Sequence, residues 1–366
     1  MELIKKIEIL KNSPLFNLSL GSKELFHSNF WEWLSIINPS DTLALFALKK
    51  LTYSKEQKIK FEREKNNIDL TISGDNFSII IENKVKDIPH PQQLEKYWNK
   101  FMTDNKNTSK KMVFVLVTLF EPVFPIKNWE IITYQNIADK LANFKIEKLE
   151  HKPFIDGYRF MISHLAQLVN SLPNNDSYDF VYQFNIELFK LLNTLKFQDI
   201  YIKYRSSRLA YFVYQFLDNK NLGKIIYEAE NSEELAVGTI AVNSSFSNGK
   251  GIITFEYKLE NNIFIGTQIE GTQYRHYFLF RNKLGCKISA EAMREKEIWF
   301  NKEFRKKGGG NFCKYEKDRE YTFLYQYDEI KKPESFKWIA NKIFDDMQFV
   351  IKNKKQILKF ANQSDI

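Results

Sequence analysis

The sequence predicts an α/β protein that begins with a mixed sheet flanked by helices. Three observations support this fold class. Apolar residues recur at helical spacing before residue 47, a strand-like pattern occupies residues 57–85, and a helix and a buried strand follow at residues 91–120. The predicted order is α–β–β–β–α–β, followed by one more strand and a helix. Such an order is typical of a mixed sheet covered by helices.

The N-terminal segments are predicted to be helical. "MELIKKIEILKN" opens the chain as a short amphipathic helix. In "KELFHSNFWEWLSII" the apolar residues again fall near helical spacing, and Glu24 lies in the first turn. A further helix is expected to begin within "NPSDTLALFALKKL".

Three consecutive strands are predicted next, in "QKIKFERE", "IDLTIS" and "FSIIIENKV". The turn "SGDN" joins the second and third strands, with Gly74 able to take a positive φ. This turn predicts that Ile72 pairs with Phe77. A helix in "PHPQQLEKYWNKFMTD" and a fully buried strand in "KMVFVLVTLF" complete the core, and "WEIITYQNIADKLANF" adds a strand and a helix.

The rest of the chain has a different character. It is helical and aromatic-rich to about residue 220, then rich in strands, and it closes with the amphipathic helix "ESFKWIANKIFDDMQFVIKNKKQIL". Four strands are predicted, in "GTIAVNSS", "KGIITFEYKL", "NIFIGTQIEG" and "YRHYFLFRN". We therefore predict a core domain at residues 1–150, a helical segment at 151–222 and a mixed α+β C-terminal domain at 223–366.

The amino-acid composition indicates a globular protein without a disulfide framework or a membrane span. The chain has 366 residues and 43% hydrophobic residues, enough for a sizeable core. Its two cysteines exclude a disulfide scaffold and a four-cysteine zinc site. No run is long and apolar enough for a signal peptide or membrane span, so we expect a cytoplasmic protein that does not bind a membrane.

Positive charge indicates nucleic acid as a partner. The net charge is +9, and the basic stretch 302–314, with three consecutive glycines, contributes to it. Lysine and arginine neutralise phosphates without reading sequence. Two interpretations of this stretch stay open: a phosphate-binding surface and an ordinary solvated face.

A group of charged residues meets at the open end of the predicted hairpin. Glu82 and Lys84 share one face of their strand, because side chains alternate. The predicted register places Asp69 opposite Ile80 and diagonal to Glu82, on that same face. Two carboxylates suit Mg²⁺, the backbone carbonyl of Asn83 offers a third oxygen, and Lys84 is placed to orient the attacking water. The alternative is a surface strand end with a simple ion pair.

Several neighbouring residues bear on this site. Gln93 and Tyr97 stand four apart on one face of the helix that follows the strand. Either Glu62 or Glu64 is a candidate for a further acid. For His27 both a role near the site and a plain helix-packing role stay open.

The spacing of Asp69, Glu82-Asn83-Lys84 and "QLEKY" resembles the D…ExK…QLxxY signature of the PD-(D/E)XK nuclease superfamily, over about residues 20–140. The resemblance implies a restriction-endonuclease-like αβββαβ core. No proline precedes Asp69, where "NNID" stands instead. The implied roles are metal ligands for Asp69 and Glu82, catalytic lysine for Lys84, accessory acid and metal ligand for Glu24, and substrate or bracing contacts for Gln93 and Tyr97.

The expected function is hydrolysis of phosphodiester bonds, assisted by Mg²⁺ or Mn²⁺, with DNA as the expected substrate. The family resemblance implies a biological role in restriction, phage defence or repair. The rival hypothesis is a non-catalytic nucleic-acid-binding or protein-interaction module on the same fold. Oligomeric state stays open, with a homodimer and a defence-system partner both compatible with the sequence.

Overall fold

The computed structural model describes most of the chain in two compact units. The first unit is Met1–Pro173 with Lys190–Ile200, and the second is Asn174–Phe189 with Tyr201–Ile366. The three-part domain division expected from the sequence stays a prediction. The described residues are 2–19, 23–46, 58–65, 67–104, 109–172, 186–229, 234–281, 306–314, 319–331 and 334–361.

A five-stranded mixed sheet forms the centre of the first unit. Its order is β1-β2-β3-β4-β5. The first three strands pair antiparallel, and β4 and β5 join parallel to β3. This arrangement confirms the predicted α/β class and the order of elements around the three-strand meander. The bounds are β1 Lys60–Lys65, β2 Ile68–Ser73, β3 Phe77–Lys84, β4 Lys111–Thr118 and β5 Glu130–Thr133.

Helices cover both faces of this sheet. Leu94 of α5 packs on Ile80 and Leu116, which share the face of Glu82. Helix α3 contacts β1, β2 and β3. The helices of this unit are α1 Glu2–Lys11, α2 Pro14–Ser19, α3 Lys23–Ile37, α4 Pro39–Phe46, α5 Pro91–Asp104, α6 Tyr134–Leu141 and α7 Lys152–Asn170, with a 3₁₀ turn at Leu149–His151. A further helix, α8 Ile186–Thr194, is divided between the two units.

The register of the β2–β3 hairpin differs from the prediction. Ile72 pairs with Ile79 rather than with Phe77, and Gly74 N–H donates to the Phe77 carbonyl at 3.1 Å. The turn is therefore centred one residue later than expected, on Asp75-Asn76. Gly74 is able to take a positive φ, but the turn does not use this freedom, since this described glycine is not among those with φ above zero.

The physical reason for the difference is the period of a strand. Moving the turn by one residue shifts the pairing by two, which leaves every side chain on its face. The apolar residues of β2 and β3 stay buried in either register. The hydrophobic pattern therefore does not distinguish the predicted register from the observed one. Asp75 and Asn76 both favour turns, so the observed turn does not need a glycine at its centre.

The second unit contains a seven-stranded sheet with helices. Its strand order is β11-β12-β10-β9-β8-β7-β6, antiparallel except for β6 and β7. The last helix, α10, contacts β8 and β9. The bounds are α9 Gln198–Asn219, β6 Lys224–Tyr227, β7 Thr239–Ser247, β8 Lys250–Glu260, β9 Ile263–Glu270, β10 Gln273–Arg281, β11 Lys306–Lys314, β12 Arg319–Glu329 and α10 Phe336–Ala361.

Three strands of this sheet were not predicted: β6, β11 and β12. The run of three glycines, Gly308–Gly310, lies within β11. A Cβ at Gly308 would meet the Tyr325 ring at 2.4 Å, so this position is glycine because an aromatic side chain of β12 lies over its backbone. Residues 302–305 of the basic stretch lie outside the described residues, as do the side chains of Lys306 and Lys307.

Across the described segments, no helix has both the length and the apolar character needed to cross a bilayer.

Candidate active site

Two carboxylates face each other at the open end of the β2–β3 hairpin. Leu70 pairs with Ile81, so one step further along this register Asp69 lies directly opposite Glu82. The sequence placed Asp69 on the correct face but diagonal to Glu82. Asp69 also accepts a hydrogen bond at Oδ2 from the Asn83 backbone N–H, at 2.6 Å. The structure therefore brings the two predicted acids together.

Burial and repulsion from neighbouring acids disfavour the charged forms of both Asp69 and Glu82. Glu82 is only 3% exposed. Desolvation, followed by repulsion from Glu82, raises the pKa of Asp69 to about 7, against the lowering effect of the Asn83 N–H. Desolvation also raises the pKa of Glu82, although Lys84 opposes the shift. Perturbed pKa values of this kind are typical of functional sites.

Lys84 supplies one positive charge. Its ammonium Nζ lies 2.8 Å from Glu82 Oε1. Burial lowers the pKa of Lys84, but the attraction of Glu82, Asp69 and Glu24 outweighs burial and raises it. The Lys84 carbonyl accepts a hydrogen bond from Leu119 N–H at 3.0 Å, which ties this end of β3 to the chain after β4.

The donor set fits a divalent cation. Within the described part of the chain, Glu82 Oε2 is buried without a hydrogen-bond partner, which leaves an acceptor oxygen for a ligand. In an extended strand the N–H and C=O of one residue project to the same side, so the Asn83 carbonyl points with its N–H toward β2 and Asp69. No group of three or more His, Cys, Asp or Glu side chains among the described residues is arranged around one point. Mg²⁺ needs only one or two carboxylates beside water, so the residues present suffice.

Glu24 reaches the same corner from the first turn of α3. Its Oε1 accepts hydrogen bonds from the backbone N–H groups of Val85, Lys86 and Asp87, at 3.3, 3.0 and 3.3 Å. Its charge is close enough to add to the raised pKa of Glu82. The structure places Glu24 at the site, while its expected role as a metal ligand stays a prediction.

Asn83 anchors the strand from the opposite face. Its side chain donates to the Glu24 carbonyl at 3.3 Å and accepts from the Tyr134 hydroxyl at 2.7 Å. Tyr134, at the start of α6, was missed by the sequence analysis. No local spacing could have revealed it, because Tyr134 is 51 residues from Asn83.

Gln93 and Tyr97 lie together on α5, as their spacing predicts. Gln93 Nε2 donates to the Tyr97 hydroxyl at 3.1 Å. Tyr97 packs against the apolar cluster that includes Ile80 and Leu116, on the face of Glu82. Their contact with substrate stays a prediction.

His27 lies behind the site. It is 1% exposed, its Nδ1 is 2.8 Å from the Tyr158 hydroxyl, and its ring meets that of Tyr134 edge-on. Burial lowers the pKa of His27 to about 3. A buried neutral ring matches the helix-packing alternative for His27.

The structure also separates the two candidate further acids, Glu62 and Glu64. Glu62 pairs with Lys60 at 2.9 Å. Glu64 adds its repulsion to the raised pKa of both Asp69 and Glu82, so it is the acid near the site. It has a positive φ of 51°, which is uncommon outside glycine.

Paired acids and a lysine at the strand ends of an αβββαβ sheet are consistent with a restriction-endonuclease-like fold. Residues 15–155 match the family model of the PD-(D/E)XK nuclease superfamily. The match covers less than half of the chain, and it includes every residue of the site described above. No curated protein and no solved structure shows significant similarity to the chain.

Proposed function

We propose that this protein is a metal-dependent nuclease that hydrolyses phosphodiester bonds in DNA. The observation that carries the proposal is the pair formed by the half-buried Asp69 and the buried Glu82 beside Lys84, with Glu82 Oε2 left without a protein partner in the described chain. Residues 15–155 match a nuclease superfamily, which supports the same chemistry. The identity of the metal, the substrate and the residue roles are parts of the proposal.

Asp69 and Glu82 are the proposed holders of the cation, with the backbone carbonyl of Asn83 as a third oxygen. Mg²⁺ or Mn²⁺ bound there supplies Lewis-acid chemistry at the phosphate. Each of the two acids then has a positive neighbour that favours its charged form.

Lys84 is proposed to act on the substrate rather than on the fold. Its ammonium projects from the same face as Glu82 and is 13% exposed at the side chain. From there it donates to a phosphate oxygen or to the attacking water, and it stabilises the charge that develops during phosphoryl transfer. The rigid β3 strand, with Ile79, Ile80 and Ile81 fully buried, fixes its position.

Two further features support nucleic acid as substrate. The chain carries a net charge of +9, which favours a polyanion. Gln93 and Tyr97 form a polar pair on the face of Glu82, where they are proposed to contact the substrate backbone or brace the site. A role in restriction, phage defence or repair is proposed only from the superfamily resemblance.

The test is a cleavage assay on linear duplex, circular duplex, single-stranded DNA and RNA, with Mg²⁺, Mn²⁺ or EDTA. We expect cleavage of DNA that EDTA abolishes and that Lys84→Ala and Glu82→Gln each reduce by about 100-fold or more. Lys86→Ala and Glu95→Gln are matched controls, because both side chains are exposed and Lys86 is only two residues beyond Lys84.

The variants also separate binding from chemistry. Glu82→Gln is expected to weaken Mn²⁺ binding, whereas Lys84→Ala is expected to keep it, because only the carboxylate is a ligand. Cleavage that persists in EDTA or in both variants would reject metal-assisted hydrolysis. Binding of DNA by a wild type that cleaves none of the four substrates would favour the non-catalytic alternative.

A further inference from the structure

The segment after the ExK strand is held by one side chain from another element. Glu24 Oε1 accepts three consecutive backbone N–H groups, from Val85, Lys86 and Asp87. Successive N–H groups that converge in this way form a concave anion site, and a carboxylate is a natural occupant. In this protein the occupant comes from the first turn of α3.

The same helix turn also holds the residue before Lys84. Asn83 Nδ2 donates to the Glu24 carbonyl at 3.3 Å. The Lys84 carbonyl is meanwhile bound by Leu119 N–H. Lys84 therefore lies between two tethers to residue 24, one on Asn83 and one on the segment 85–87.

The hydrogen bonds of Glu24 argue against direct metal ligation through Oε1. That oxygen already accepts three donors, and a cation placed there would have to displace these N–H groups from it. In contrast, Glu82 Oε2 has no such partner within the described chain. Glu24 Oε1 and Glu82 Oε2 thus differ in what they offer a ligand.

We propose that Glu24 is a positioning residue that fixes the end of β3, and thereby Lys84, through the backbone N–H groups of residues 85–87. This inference rests on the proposed nuclease function and replaces the metal-ligand role that the superfamily resemblance implies for Glu24. An error of about 1 Å in the position of a catalytic group can cost about 100-fold in rate. Glu24 therefore matters for turnover even though it acts through other residues.

Two conservative variants separate positioning from ligation. Glu24→Gln keeps the length and an acceptor oxygen but loses the charge that a metal ligand needs. Glu24→Asp keeps the charge but is one methylene shorter and cannot span to all three N–H groups. Glu32→Gln, on the same helix and paired with Arg63, is the control.

Three measurements are made on the full chain. Hydrogen exchange of the Val85–Asp87 amides, without metal or substrate, is expected to stay slow in Glu24→Gln and Glu32→Gln and to become fast in Glu24→Asp. Mn²⁺ affinity and stoichiometry are expected to match wild type in all three variants. In single-turnover cleavage, Glu24→Gln is expected to stay within about 10-fold of wild type, and Glu24→Asp to lose about 100-fold in rate at an unchanged KM for DNA.

The opposite pattern overturns the proposal. A loss of Mn²⁺ affinity or of one bound ion in Glu24→Gln would make Glu24 a ligand, and unchanged exchange in Glu24→Asp would show that the carboxylate does not hold this segment. If the wild type cleaves no substrate, the proposed function fails, whereas the exchange and Mn²⁺ measurements still decide what Glu24 does.

Discussion

At the scale of single residues, the buried charges of the site are hard to explain by stability. Replacing a buried ion pair with apolar residues is often neutral or stabilising, and removing one partner alone costs about 3–5 kcal/mol. Glu82 and Lys84 form such a pair at 2.8 Å, with Asp69 directly opposite Glu82. Asp69 accepts a hydrogen bond from the Asn83 N–H, but its carboxylate also adds repulsion to the site. This arrangement is understandable when a cation completes it.

Cation binding is therefore expected to stabilise the folded protein. At a Mg²⁺ or Mn²⁺ concentration of about 100 times Kd, a ligand specific for the native state adds about 2.7 kcal/mol. We expect thermal unfolding to shift upward with the cation in wild type and in Glu95→Gln, and the shift to disappear in Glu82→Gln. An equal shift in Glu82→Gln would place the bound cation elsewhere.

Buried His27 is expected to make the stability of the folded protein depend on pH. Burial lowers its pKa from 6.5 to about 3. The folded pKa lies below the unfolded one, so the unfolded state takes up the proton first as pH falls. The contribution of neutral His27 to the free energy of unfolding is fully present above pH 6.5 and is lost progressively toward pH 3. The loss between pH 7 and pH 5 is about 2 kcal/mol.

The measurement compares wild type with His27→Gln in urea unfolding at several pH values. The raised pKa of Asp69 acts in the opposite direction, because its protonation on acidification favours the folded state, but it is common to both proteins. The stability difference between them should change by about 2 kcal/mol from pH 7 to pH 5 and stay constant above pH 8. The same difference at pH 5 and pH 7 would contradict a buried neutral ring.

At the scale of elements, strand β11 shows how packing can override local composition. Three consecutive glycines lack the side chains that favour strands, yet all three pair with β12. Gly309 has a φ of 101°, and a Cβ there would meet the Phe323 carbonyl oxygen at 2.0 Å. Glycine is required at this position both by backbone conformation and by space.

Gly309→Ala is accordingly expected to destabilise the second unit by about 2–4 kcal/mol, since it adds a backbone clash to an unfavourable φ. Gly249→Ala is the matched control. It also has a positive φ, 74°, in the turn between β7 and β8, but no atom lies within 4 Å of its added Cβ. The midpoint temperature of thermal unfolding should be clearly lower for Gly309→Ala than for Gly249→Ala. Equal midpoints would show that β11 can shift to accommodate the new side chain.

Elements also show what sequence reasoning could and could not reach. Alternation and the D…ExK spacing were enough to place Asp69, Glu82 and Lys84 on one face of a meander. The sequence did not predict the correct hairpin register, because a shift of two residues leaves each side chain on the same face of the sheet. Strand β11 was missed because its stability comes from contacts with β12. Tyr134 reaches Asn83 only through the tertiary fold.

At the scale of the whole molecule, the superfamily match and the described units divide the chain differently. The match ends at residue 155, while the first unit includes α7 and continues to Pro173 with Lys190–Ile200. Helix α7 packs on α6 and α1, so it belongs with the core of the first unit. The seven-stranded sheet lies wholly beyond the matched residues. Its contribution is expected to be affinity rather than chemistry.

Charge provides a test of that contribution. The basic stretch 302–314 is predicted to contact the phosphate backbone, and counterion release gives a log–log salt slope of about −0.9 per phosphate contact on duplex DNA. Replacing Arg305, Lys306 and Lys307 with glutamine should flatten the slope of DNA binding by roughly two to three, if each contacts a phosphate. Single-turnover cleavage at saturating enzyme should change little, because Asp69, Glu82 and Lys84 remain.

A second triple variant distinguishes local phosphate contacts of residues 305–307 from the effect of the protein's net charge. Lys352, Lys354 and Lys355 are exposed on α10, and replacing them with glutamine removes the same three charges from the same total of +9. Long-range attraction between protein and DNA changes equally in the two variants, whereas local phosphate contacts are lost in only one. A flatter slope in the first variant alone assigns phosphate contacts to residues 305–307. Equal flattening in both would show that these residues act only through the charge of the whole molecule.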